Sequence, residues 1–163
     1  LITAPNRQNF VKTFGHLFEY SPWVVERAWD LRPFADEDAL HAAFVQVVRQ
    51  AAPEEQLGLI RAHPELGVKA ALTAESESEQ SGAGLKTLSA AEFEKFAALN
   101  ATYKAKFGFP FIVCVRAHTK ASILAAFDER LHNDPATEYA AALAEIFKIT
   151  RLRLHDILLG AAA

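Results

Sequence analysis

The spacing of prolines against helical apolar stripes most limits what this chain can fold into. Pro22, Pro33, Pro53, Pro64 and Pro135 cut the sequence into pieces of one to several helical turns. Proline is tolerated at the first turn of a helix and breaks its interior, so each one marks a start or a stop. Between them the apolar residues recur three and four apart. Phe10, Phe14, Leu17 and Phe18 share one face, with Asn6 or Asn9 as a cap. Ser21-Pro22 reads as a restart, carrying Trp23, Val24, Arg27 and Ala28 on a short helix that Pro33 interrupts. Asp36 can cap a stripe of Leu40, Phe44, Val47, Val48 and Ala51, and Pro53 opens a further helix with Leu57 and Ile60 inward.

From 70 to 88 the periodicity is poor, but Ser76 with Glu79 and Ser89 with Glu92 both fit a capping box. The second box starts a helix with Phe93, Phe96, Asn100, Tyr103 and Phe107 on one face and Gly108 as terminator. Residues 109–116 then read as a short buried extended segment. Ile123, Leu124, Phe127 and Leu131 mark one more helix. Pro135 opens the last, which runs to about Gly160. The expectation is an all-α, compact single-domain bundle over 1–163, with about seven or eight helices and one extended insertion near 109–116.

A chain of 163 residues that is 51% hydrophobic and 23% charged has the material for a core and is no disordered segment. Its net charge of −3 offers no support for nucleic-acid binding. No stretch reads as membrane-spanning, and no secretory leader is visible. A single cysteine, Cys114, excludes an internal disulfide and a multi-cysteine metal site. The six histidines lack the spacing of a structural zinc site. Dinucleotide, P-loop, HExxH and GxSxG signatures are all missing.

What remains for chemistry is a small polar set. His63 stands at a helix end before Pro64, where an imidazole can serve as general acid or base, or simply meet the last helical carbonyls. Glu79 can accept two donors from an amide-bearing or urea-like ligand, and Gln80 offers both a donor and an acceptor; Glu79 can equally complete the Ser76 capping box. Arg116 closes an apolar run, where its guanidinium can grip a carboxylate or carbonyl or snorkel to water. Cys114 reads as buried filler rather than a nucleophile.

Five segments carry a resemblance: SPWVVERAW at 21–29, RAHPELG at 61–67, LTAESESEQSGAGL at 72–85, LNATYKAKFGFPFIVCVR at 99–116 and ERLHND at 129–134. In this order the chain resembles the 2-oxo-4-hydroxy-4-carboxy-5-ureidoimidazoline (OHCU) decarboxylase family. The combination of HPELG, ESxxEQ and YxxKFGFPFxxxVR is specific, although the commoner HPDLAGKA wording stands here as HPELGVKA. The resemblance implies an all-helical homodimer that converts OHCU to (S)-allantoin and carbon dioxide without any cofactor or metal. It also implies His63, Glu79 and Arg116 as catalytic residues. Pro64, Ser76, Gln80 and the backbone of Phe111, Ile112, Val113, Cys114 and Val115 would shape the substrate site. The C-terminus lacks a Ser-Lys-Leu address, which leaves a peroxisomal location unsupported; the expected location is cytoplasmic, with no nucleic-acid or membrane partner. A non-catalytic helical module binding a small anionic metabolite or a protein partner is the alternative.

Overall fold

The computed structural model describes residues 1–68 and 72–162. Residues 69–71, where the weakly periodic stretch begins, lie outside the described residues. Among those described there are eight α-helices and no sheet; one antiparallel bridge joins Ile2 and Phe34. The expected all-α architecture is therefore what the chain adopts.

Packing groups the chain into two compact units, residues 1–62 with 150–163 and residues 63–149. The first holds α1 (Arg7–Phe14), α2 (Trp23–Ala28), α3 (Glu37–Gln50) and α4 (Pro53–Arg61), with a 3-10 turn at Trp29–Leu31. Its helices start where the polar caps said they would. Asn6 accepts from Asn9 N at 2.9 Å and Asp36 from Ala39 N at 2.8 Å. Pro53 occupies the first turn of α4. Two expectations are corrected here. Helix α1 ends at Phe14, so Leu17 and Phe18 are buried from the loop that follows. The Ser21 hydroxyl donates to Glu19 O at 2.8 Å and does not cap α2, whose N-cap is Pro22. Nearby backbone offered that hydroxyl a competing acceptor.

Five phenylalanines make the centre of this unit. Phe10 stacks on Phe34 at 5.7 Å, meets Phe14 edge-on at 5.1 Å, and lies near Phe44, which in turn meets Phe18 edge-on at 5.8 Å. Such pairs each add about 0.5–1.5 kcal/mol beyond the area they bury.

The second unit holds α5 (Ala74–Gly82), α6 (Ala90–Phe107) and α7 (Lys120–Arg130), a 3-10 turn at Val115–Ala117, and the part of α8 (Pro135–Ala162) up to Ile149. The Ser89–Glu92 capping box forms as expected, with Glu92 N donating to Ser89 Oγ at 3.1 Å and Ser89 N to Glu92 Oε1 at 2.9 Å. Gly108, with φ +79°, ends α6 in the left-handed conformation. The other box is corrected: Thr73 caps α5 by accepting from Ser76 N at 3.2 Å, so the helix starts one turn before Ser76. Residues 109–114 form no helix or strand and are buried throughout, as expected of the insertion, but the expected end at 116 is corrected: Val115 and Arg116 belong to the 3-10 turn, and Arg116 is exposed.

Candidate functional site

Side chains from two helices reach the backbone of the loop that follows His63. His63 is buried, with its Nε2 atom shielded from solvent, and Pro64 restricts its backbone. Beyond Pro64 the chain turns through Gly67 at φ +71°. The conformation there favours glycine, and a Cβ would stand 2.9 Å from Leu88 Cδ1, so the end of that side chain would have to move aside. Two consecutive peptide groups then find partners from two helices. Gln80 Oε1 accepts from Gly67 N at 3.1 Å, and Gln80 Nε2 makes a longer 3.4 Å bond to Glu65 O. Asn100, on α6, donates from Nδ2 to Leu66 O at 2.8 Å.

Helix α5 presents its polar residues in one direction because of their spacing. Ser76 and Gln80 lie one turn apart and are both buried, while Glu79, beside them, is partly exposed. Glu75 and Glu77 occupy the first turn, where carboxylates complement the helix dipole. The helix packs against the 115–117 turn. That neighbourhood also shows in the Cys114 thiol, which burial, and then the negative charges of Glu145 and Glu79, push above its ordinary pKa. A thiol shifted this way stays protonated at neutral pH and is a poor nucleophile.

The segment leading to that turn is pinned from behind. Phe111 stacks on Phe127 at 3.8 Å and meets Tyr103 edge-on at 5.2 Å. Arg130 Nη1 donates to Ile112 O, and Cys114 N donates to Glu145 Oε1 at 3.1 Å. Arg130 is itself fixed by a 2.8 Å ion pair with Glu138, a carboxylate fully removed from solvent. Tyr103 Oη donates to the same Glu138 oxygen at 2.6 Å, and Asn133 Nδ2 donates to the other at 3.1 Å. Burial, followed by the Glu138 acceptor, holds the Tyr103 phenol well above its ordinary pKa, so it remains a donor.

Of the residues singled out from sequence, Ser76, Glu79 and Gln80 share α5. The helix reaches the His63 loop through Gln80 and the 111–116 segment by direct packing. The side chains of Phe111, Ile112, Val113, Cys114 and Val115 are buried, and Arg116 in the following turn is exposed. Gln80 is already engaged with two loop peptides, leaving its amide one hydrogen and one lone pair for anything further. Among the described residues no three His, Cys, Asp or Glu side chains gather as a metal-ligand set. Sequence reasoning passed over Asn100, Tyr103, Arg130, Glu138 and Glu145. Asn100 alone left a usable mark, a polar residue on the otherwise apolar and aromatic face of α6.

The family model for OHCU decarboxylase matches residues 3–155. A 2-oxo-4-hydroxy-4-carboxy-5-ureidoimidazoline decarboxylase of Haloferax volcanii is 44% identical over 91% of this chain and 88% of its own length. The protein of the same name from Amia calva is 42% identical over 96% and 92%. Among solved structures, an OHCU decarboxylase crystallised in the presence of (S)-allantoin superposes with a TM-score of 0.73 at 29% identity, over 89% of this chain and 96% of that one. An (S)-allantoin synthase gives a TM-score of 0.76 at 29% identity over 93% of this chain, which spans half of that longer protein. On the extent of these matches, the chain belongs to the OHCU decarboxylase family.

Proposed function

We infer that this protein decarboxylates OHCU to (S)-allantoin in urate degradation, using residues 63–67, 76–80 and 111–116 of one family domain. Family membership supports the reaction. The observation that carries the site is the joining of three sequence-distant motifs, with Gln80 on α5 bonded to the His63 loop and α5 packed on the 115–117 turn.

In the reaction the bond between C4 and its carboxylate breaks, and carbon dioxide leaves. The electron pair passes into the adjacent imine, whose nitrogen takes up a proton; the C4 hydroxyl then gives up its proton and becomes a carbonyl as a proton is added at the carbon that bears the ureido group. The pair is accepted within the substrate itself. His63 orients the C4 hydroxyl and serves the proton movements. Glu79 and the remaining amide functions of Gln80 receive the ureido and ring N–H groups, with Ser76 beside them. Arg116, exposed at the end of the 111–115 backbone, takes up ring oxygen or carboxylate charge. Pro64 and the backbone of 111–115 give the shape that presents one face of the carbon to the proton, which sets the product's hand.

A homodimer and a cytoplasmic location belong to the same reading, on the strength of the resemblance. No helix among the described residues is long and apolar enough to cross a membrane. The exposed Tyr20 and Leu159 are apolar surface that a second copy can cover.

The test is a coupled assay in which urate is oxidised, the intermediate is hydrolysed to OHCU in place, and allantoin is followed by circular dichroism. The expected result is an excess of the (S) enantiomer that grows with protein concentration. Racemic allantoin at the spontaneous rate would remove the assignment, and binding without carbon dioxide release would leave a binding module.

A further inference from the structure

We propose that Asn100 is a positioning residue for this reaction, acting through the Leu66 carbonyl to hold the His63 loop; this rests on the reading just given. Asn100 is almost wholly buried on α6, yet only half of its amide is in use. Nδ2 donates to Leu66 O at 2.8 Å across 34 residues of sequence, while Oδ1 is buried with no hydrogen bond among the described residues. A buried acceptor left unmet is unfavourable. A leucine of the same reach would suit the apolar face that Phe96 and Tyr103 make on either side. A polar group retained on such terms does little for stability. What it does is fix one peptide.

That peptide lies where the loop has least support of its own. Pro64 restricts His63 from one side, and the Gly67 turn stands three residues beyond it. Gln80 bonds the peptide groups on both sides of Leu66, but from α5 and with one contact of 3.4 Å. Asn100 provides the short bond to the second of these, the Leu66–Gly67 peptide, whose N–H Gln80 holds at 3.1 Å. Without it the backbone of the 65–67 turn is hydrogen-bonded from α5 alone, since Lys104 of α6 reaches only the Glu65 side chain, at 3.9 Å, and the peptides can rotate about that support. His63 moves with the turn because the rigid proline ring couples them. A shift of this kind changes the imidazole's placement against a bound substrate and leaves the rest of the fold untouched.

The experiment compares Asn100→Leu and Asn100→Asp with the native chain. The leucine removes the donor, and the aspartate replaces it with an acceptor facing a carbonyl. Three quantities are read. The expected kcat for (S)-allantoin formation falls roughly 10–100-fold in both variants, the order of loss that a misplaced catalytic group produces. KM stays within about twofold, since uniform binding is not what is lost. The Tm of the leucine variant stays within about 4 °C of native, which for a chain this size is about 1–2 kcal/mol at most.

The fourth readout needs no turnover. The His63 imidazole signal in a carbon–proton correlation spectrum, identified by its loss in His63→Gln, is expected to shift in both variants, while His16, His132 and His155 keep theirs. An unmoved His63 signal with native kcat would overturn the proposal. So would a loss of activity that tracks a loss of Tm, or failure of both variants to fold, because either would make Asn100 structural. If the native chain gave racemic product, the functional reading would fall while the His63 signal still judged the link between Asn100 and the loop.

Discussion

The two units bury polar groups for different ends. In the first, Arg153 and Glu19 form a 2.8 Å ion pair removed from solvent, and Arg153 also donates to Leu17 O at 3.1 Å. The pair ties α8 to the loop after α1, next to a centre made of phenylalanines. In the second, Arg130, Glu145, Gln80 and Asn100 are directed at the backbone of the two irregular segments that hold the candidate site, and Glu138 fixes Arg130. Helices satisfy their own peptides, whereas a buried irregular segment must borrow partners from side chains. The loop after α1 borrows Arg153 and Ser21, and the segments that hold the candidate site borrow Arg130, Glu145, Gln80 and Asn100. The first unit shows what this sequence does when only packing is at stake.

The sharpest break between the units is His63→Gln. It should reduce (S)-allantoin formation by roughly 10²–10⁴-fold, the usual worth of general acid–base catalysis, while far-ultraviolet circular dichroism stays native. A folded variant with native rate and enantiomeric excess would take His63 out of the mechanism.

A matched pair tests whether buried charge serves the site in one unit and the fold alone in the other. Glu138→Gln and Glu19→Gln should each cost about 3 kcal/mol in urea unfolding, because each leaves an arginine buried without its counter-charge. Below the transition, Glu138→Gln should also slow turnover about tenfold, since Arg130 no longer holds Ile112 O in place. Glu19→Gln should keep the native rate per folded molecule. Equal rates in the two would erase the distinction drawn here.

The smallest effect is expected at Gly67. An alanine would be held at φ +71°, which costs about 1–2 kcal/mol, and its Cβ would press on Leu88. Thermal unfolding reads that loss. A fully stable Gly67→Ala would mean that the turn relaxes and that the loop is less constrained than its contacts imply.

The helices were legible because their signals are local. Asn6, Asp36, Ser89, Pro53 and Pro135 each act within one turn of their own position, and all open helices where the spacing said. Helix α5 was misplaced by a turn because two caps overlap: Thr73 and Ser76 are three apart, as are Ser76 and Glu79, and only packing decides between them. The site was half legible. The resemblance named His63, Glu79, Gln80 and Arg116, and the segment 109–116 reads as buried from its own residues. What holds these pieces was out of reach. Asn100 acts 34 positions away, Tyr103 meets Glu138 at a separation of 35, and Glu145 reaches Cys114 across 31. No window of sequence contains both ends of such a bond.

Cys114 turns this arrangement into something that can be timed. It is the chain's one thiol, buried on the segment that leads to Arg116, and both its burial and the nearby carboxylates keep it protonated. Alkylation requires an exposed thiolate, so a reagent in solution can react only while the 111–116 segment has swung open. The rate of labelling divided by that of an unfolded peptide thiol is then the fraction of time the segment stands open. A native residue thus serves as a stopwatch for one stretch of backbone. Substrate that closes over the segment should slow the label in proportion to its occupancy, whether or not it turns over.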